Sequence, residues 1–325
     1  MSGDVALIVG VTGQVGAYLA RFLLGKGYRV HGTSRDAALA RVEGLAALGI
    51  RDDVPLHSLS PSDPSSVRDV LERVAPAEMY NLTGQSSVGL SFSQPLETLN
   101  GIVSGTVNLL EALHRVAPNV RFYSAGSSEC FGETGRHPAN ELTAFRPKSP
   151  YGIAKAASIS LVTNYRESYG LFACSGILFN HESPLRPTRF VTRKITSAAS
   201  RIAQGSRERL ALGNLAVYRD WGWVPDYVEA MWAILQRDTA DDFIIASGVS
   251  HSLEDFVATA FAEVGLDWRD HVDFDSSLKR PNDIAYSAGE PAKARRVLGW
   301  SAQTSFAEIV SRMVRAERLG AAAVS

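Results

Sequence analysis

Short apolar runs alternate with longer stretches of helical spacing along most of this chain. Residues 4–9, Asp-Val-Ala-Leu-Ile-Val, are apolar and rich in β-branched side chains. Gly10-Val-Thr-Gly13-Gln-Val-Gly16 follows, and then Ala-Tyr-Leu-Ala-Arg-Phe-Leu-Leu, with apolar residues at helical intervals. This pattern predicts strand, glycine turn and helix. A second strand is predicted over 28–33, ending at Ser34-Arg35-Asp36. Further strands are expected near 54–58, 77–82, 120–124 and 172–178, and helices near 37–47, 64–74, 95–116, 150–168 and 190–204. Repeated units of this kind imply an α/β fold: a Rossmann-type, doubly wound parallel sheet with helices on both faces. Ligands then lie beyond the C-terminal strand ends, where Ser124–Glu129 and Leu82-Thr83-Gly84-Gln85-Ser86 fall.

The texture changes after residue 180, where Asn180-His-Glu-Ser-Pro-Leu-Arg-Pro-Thr-Arg reads as loop before a helix near Phe190. A helix near 224–236 and an apolar strand at 242–246 return to the sheet. The expected division is a dinucleotide-binding domain over 1–178 plus 223–250, and a smaller mixed α/β, substrate-binding lobe over 179–222 plus 251–325.

Composition narrows the class of partner. The 325 residues carry a formal net charge of -1, which leaves no electrostatic footprint for nucleic acid or an anionic membrane. Two cysteines, Cys130 and Cys174, argue against a disulfide framework and fit a reducing cytoplasm. The seven histidines show no metal-ligand spacing, so no metal is expected. No apolar run is long enough to span a bilayer, and the N-terminus lacks the layout of a secretory signal.

Candidate chemistry gathers between Ser124 and Lys155, where Ser127, Glu129, Tyr151 and Lys155 bring a hydroxyl, a carboxylate, a phenol and an ammonium together. Residues four apart share one helix face. An adjacent ammonium would favour the phenolate of Tyr151, which could then take a proton from a substrate hydroxyl. The same spacing also fits an ordinary surface pair, and Glu129 alone also fits a solvated strand-end glutamate. The order favours chemistry: glycine turn, hydroxyl at a strand end, then Tyr151 opening a helix. Glycines in such a turn let a pyrophosphate approach the backbone and the helix N-terminus.

This ordering resembles the extended short-chain dehydrogenase/reductase superfamily over nearly the whole chain, and more narrowly the GDP-mannose 4,6-dehydratase family. The resemblance is carried by Gly-Val-Thr-Gly-Gln-Val-Gly-Ala-Tyr-Leu (10–19), Ser-Ser-Glu-Cys-Phe-Gly (127–132) and Ser-Pro-Tyr-Gly-Ile-Ala-Lys (149–155). It is sharpened by the run from 164 to 196, by Arg-Asp-Trp-Gly (219–222) and by Arg-Pro-Asn-Asp (280–283). The resemblance implies that Tyr151 deprotonates the hexose C4 hydroxyl, that Lys155 lowers the tyrosine pKa and holds the nicotinamide ribose, and that Ser127, where threonine is usual, hydrogen-bonds the C4 oxygen. It implies that Glu129 removes the C5 proton and assists loss of the C6 hydroxyl as water. Besides Tyr151 and Lys155, it assigns Gly10, Thr12, Gly13, Gln14, Val15, Gly16, Arg35, Leu82, Thr83, Gln85, His181 and Arg186 to the cofactor. Ser86, Asn180, Val191, Lys194, Arg219 and Arg280 fall to the substrate, GDP-mannose or a related nucleotide-sugar.

The chain departs from the family pattern at several points. Val15 stands where aspartate is common, Asp36 where a second arginine follows Arg35, and Ser60-Pro61 where an aspartate precedes an apolar residue. NADP is favoured over NAD, and a homodimer is implied with tetramer formation open. The alternatives are a related dehydratase, a 4-reductase or epimerase on another nucleotide-hexose, or a dinucleotide-binding regulator without turnover.

Overall fold

A computed structural model describes residues 3–278 and 281–320. Seven parallel strands form the main sheet: β1 (Val5–Val9), β2 (Arg29–Ser34), β3 (Leu56–Ser58), β4 (Glu78–Asn81), β5 (Arg121–Ala125), β6 (Ala173–Leu178) and, numbered in chain order, β10 (Phe243–Ile245). Their spatial order is β3-β2-β1-β4-β5-β6-β10. The chain runs outward from β1 to β3 and then returns to β4 on the other side, so a crevice opens between the ends of β1 and β4.

Strand β1 shows why the sheet is covered on both faces. Its side chains alternate: Ala6 and Ile8 join one apolar cluster with Leu19, Leu23 and Met231, while Leu7 and Val9 join another with Val67, Leu109 and Phe122. Period-two alternation with apolar residues on both sides is what a strand sandwiched between helices requires. The buried Glu78 of β4 is satisfied by Tyr80 Oη at 2.7 Å, Gln236 Nε2 at 2.8 Å and Tyr28 Oη at 3.1 Å.

A second core packs beside the first. It joins Ile195, Ala199, Trp221, Trp223, Phe256, Phe261, Ile309 and Met313. Around it run β7 (Asn180–Glu182), β8 (Leu210–Leu212), β9 (Tyr218–Trp223), β11 (Ser250–Ser252), β12 (Val272–Phe274) and β13 (Tyr286–Ser287). Strand β9 pairs with β7 and β13 in parallel and with β11 antiparallel. Residues 251–325 do not all belong to this second core. Ala294 and Trp300 pack in the first, so that stretch is shared between the two.

Two expected helices differ in detail. In place of a helix over 37–47, helix forms only at Glu43–Ala47. The carboxylate of Asp36 accepts the amides of Ala38 at 2.9 Å and Leu39 at 3.2 Å, which holds the chain in a local turn. In place of one regular helix over 95–116, Pro95–Leu99 and Gly105–Val116 are joined by a wide π-type turn at Asn100–Ser104. Two other long helices begin at clear caps. Asp63 caps Pro64–Val74 and Ser149 caps Pro150–Tyr169, each with proline just inside the start.

Candidate active site

The glycine turn ends at Gly13, which caps the helix Gln14–Gly25 without any side-chain hydrogen bond and with no acidic residue in its first turn. The first-turn amides are thus left for an anion. The turn must be glycine for packing as well: a Cβ on Gly16 would stand 2.6 Å from the oxygen of Gly10, and Gly10 has φ +91°. These features fit a pyrophosphate.

From this turn a cleft of ≈ 560 Å³ runs past the ends of β1, β4, β5 and β6 toward the second core. Ser127, Glu129, Tyr151 and Lys155 all line it. Ser127 and Glu129 follow β5 in a short turn in which the Ser127 hydroxyl accepts the Glu129 amide at 3.3 Å. Ser149 accepts the Gly152 amide at 3.0 Å and so starts the helix that carries Tyr151 and Lys155. The two segments touch at Gly152, where a Cβ would lie 2.7 Å from the Glu129 oxygen.

The electrostatics differ from the simplest expectation for Tyr151 and Lys155. Lys155 Nζ donates to the carbonyl of Ala125 at 2.7 Å and lies 6.0 Å from the Tyr151 ring centre. Burial brings the Lys155 pKa down to about 8. Burial also pushes the Tyr151 phenol up to about 12; hydrogen bonding with Ser127 opposes that rise, the Glu129 carboxylate adds to it, and Arg186 opposes it. The Lys155 ammonium, one turn further along the same helix, is held by a main-chain oxygen at the end of β5.

Strand β7 forms the opposite wall. His181 Nδ1 lies 2.8 Å from the Phe179 carbonyl, and burial lowers the ring pKa to about 4, so the imidazole is neutral. Gln14 ties this wall to the glycine turn. Its Nε2 donates to the His181 carbonyl at 3.3 Å, and its Oε1 accepts the Ser183 hydroxyl at 2.8 Å.

The cleft also takes in Gly10, Gly13, Gln14, Val15, Gly16, Leu82, Thr83, Ser86, Asn180, His181, Arg186, Val191, Lys194 and Arg219. Lys194 Nζ donates to the Ala211 carbonyl at 2.8 Å, and Arg219 Nη2 meets Asp283 at 3.3 Å. Three candidates sit elsewhere. Thr12 lines a neighbouring cavity of ≈ 390 Å³, Arg35 is exposed at the end of β2, and Gln85 directs its side chain to the Thr98 hydroxyl and the Ser87 amide. Arg280 lies outside the described residues.

A profile of the family described as GDP-mannose 4,6 dehydratase matches residues 7–313. The chain is 44% identical over 320 residues to GDP-mannose 4,6 dehydratase 2 of Arabidopsis thaliana, covering 95% of this chain and 86% of that one. It is 40% identical over 339 residues to GDP-mannose 4,6 dehydratase of Homo sapiens, with coverage of 97% and 91%. The chain belongs to the GDP-mannose 4,6-dehydratase family. The family's scaffold is shared more widely. DesIV, a dTDP-glucose 4,6-dehydratase of Streptomyces venezuelae solved with NAD and TYD, superposes with a TM-score of 0.87 at 21% identity over 97% of both chains. RMD of Pseudomonas aeruginosa, solved with NADPH, gives 0.80 at 22% identity over 97% of this chain and 99% of that one. At such identities these two show the fold alone.

For this member of the dehydratase family, some of the cleft was hidden in the sequence. Val88 and Phe190 line it but read as ordinary apolar residues. Glu182 lines it too, and its signal was available: it is the acid inside the family-like run Asn-His-Glu-Ser. Among the described residues no group of three or more His, Cys, Asp or Glu is placed to hold a metal, and no helix is long and apolar enough to cross a membrane.

Proposed function

We propose that this chain is a hydro-lyase that converts GDP-mannose to GDP-4-keto-6-deoxymannose. The observation that carries the reading is the meeting of Ser127, Glu129, Tyr151 and Lys155 in one cleft with the glycine turn. A plain dehydrogenase has no need of Glu129 in that place.

A bound nicotinamide dinucleotide supplies the temporary store for the C4 hydrogen that is later returned to C6. Tyr151 acts as the phenolate, a form that the Arg186 cation and the Ser127 hydrogen bond favour, and takes the proton of the C4 hydroxyl, while Ser127 hydrogen-bonds the C4 oxygen. The resulting ketone acidifies C5. Glu129 removes the C5 proton and passes it to the C6 hydroxyl, which leaves as water. The proton held by Tyr151 goes back to C5, so the proton count closes. Asn180, Lys194 and Arg219 line the part of the cleft suited to the diphosphate.

NADP is the preferred dinucleotide in this reading. Arg35 is exposed where β2 ends, whereas the Asp36 carboxylate is turned onto the amides of Ala38 and Leu39. The enzyme works as a cytoplasmic homodimer. Exposed Leu90, Leu96 and Ile153 on neighbouring helices supply the apolar contact surface. The segment 1–178 plus 223–250 carries the dinucleotide, and 179–222 plus 251–325 carries the nucleotide-sugar, apart from the stretch around Ala294 and Trp300 that packs on the main sheet.

The test is direct. Purified protein is incubated with GDP-mannose, without external reductant, and the nucleotide-sugar is followed by mass. Loss of one water supports the reading. An unchanged mass for GDP-mannose, with water lost from another nucleotide-hexose, moves the substrate and keeps the mechanism; no water loss from any of them overturns it.

A further inference from the structure

The last residue of β7, Glu182, is 0% exposed. A carboxylate withdrawn from water is costly unless it is paired. Glu182 Oε2 accepts the Thr192 hydroxyl at 2.8 Å and faces Arg186 Nε at 3.3 Å. Its Oε1 has no hydrogen-bond partner among the described residues. The guanidinium of Arg186 lies 3.8 Å over the ring of Phe190, which, like Glu182 and Arg186, lines the cleft. Arg186 is therefore fixed by an ion pair on one side and an aromatic face on the other.

A buried ion pair adds little to stability compared with apolar packing. A better account of this one is the orientation it imposes. We propose that Glu182 is a positioning residue, whose buried carboxylate holds the Arg186 guanidinium over Phe190 and inside the cleft, ready for a phosphate-bearing dinucleotide. This rests on the functional reading above and adds a residue to it. Two neighbours feel the fixed cation: Arg186 favours the ionised form of Tyr151 and disfavours protonation of His181. Thr192 completes the arrangement from the first turn of the helix Val191–Ala203.

The test is a double-mutant cycle read by calorimetric titration of NADP and NADPH into purified full-length protein. Glu182→Gln keeps an acceptor for Thr192 but removes the charge. Glu182→Gln and Arg186→Gln are each expected to weaken binding by roughly tenfold, the scale of one charge-assisted hydrogen bond. The double variant is expected to bind no more weakly than Arg186→Gln, because Glu182 acts through Arg186. A purely structural role would instead give losses that multiply, and that outcome overturns the proposal, as does wild-type affinity in Glu182→Gln. Should Glu182→Gln fail to fold, Thr192→Val loosens the same carboxylate and is expected to weaken binding in the same direction by a smaller factor; unchanged affinity there overturns the proposal. A wild-type protein that binds neither dinucleotide removes the functional reading itself, whereas binding by the wild type and equally by Glu182→Gln removes only the positioning role.

Discussion

The Lys155 ammonium rests 2.7 Å from the carbonyl oxygen of Ala125, the last residue of the strand that leads to Ser127. Its pKa, brought down by burial to about 8, places its loss of charge just above neutral pH. The ammonium is charged below that value and neutral above it. Dinucleotide affinity is therefore expected to hold steady on the acid side of about 8 and to fall as pH rises through it. Calorimetric titrations on either side of that pH check this, with Lys155→Met expected to remove the dependence. An unchanged slope in that variant would assign the effect to another group.

Glu129 and Tyr151 are expected to separate by step. Glu129→Gln should abolish water loss and leave dinucleotide affinity intact. Tyr151→Phe should slow turnover by roughly 10²–10⁴-fold, the usual contribution of a positioned proton-transfer group. Mass analysis of the nucleotide-sugar and a binding titration give the two readouts. Full turnover in either variant would remove that residue from the mechanism.

Asp220 offers a pH test of stability. It is 0% exposed and accepts the amides of Ser247 and Gly248, each at 2.8 Å, which fastens the loop after β10 to β9. Burial raises its pKa from 3.8 to about 6. A raised acid contributes stability that is present below the unfolded value and lost as pH rises through the folded one. In Asp220→Asn this loss is absent. Its deficit relative to the wild type is expected to shrink between pH 4 and pH 7, by up to about 3 kcal/mol. Denaturant unfolding at both pH values measures it, and a deficit that stays constant would contradict the assignment.

Gly152 joins stability to catalysis. Its absent Cβ would stand 2.7 Å from the main-chain carbonyl oxygen of Glu129. Gly152→Ala is expected to cost about 1–3 kcal/mol through overpacking and to lower turnover more than dinucleotide affinity, because Glu129 is the group displaced. Melting temperature, turnover and a binding titration test this together. A variant that turns over like the wild type would show that the contact relaxes without moving Glu129.

Local chemistry explains which parts of this molecule could be read from its sequence. The unbroken apolar run Val5–Val9 before the glycine turn located β1, and it is unbroken because the strand is covered on both faces. Asp63 and Ser149 mark helix starts because their side chains accept amides a few residues on. The misread stretch at 37–47 obeys the same rule, since Asp36 captures two amides that a helix would have used. The acceptor of Lys155 was out of reach, being a main-chain oxygen thirty positions away. Gln14 and Gln85 were expected at the cofactor from the motifs around them. Both spend side-chain atoms on protein partners that only the folded chain brings near.

One buried residue, Phe179, separates β6 of the main sheet from β7 of the second. Its amide is bonded to the Ile245 carbonyl at 2.9 Å, so even this residue is pinned. The two walls of the cleft therefore meet like facing pages at a stitched spine, with no slack at the fold. A library seeking a new hexose or base should spare 178–182 together with Arg186 and Phe190, and vary the margin at 211–217.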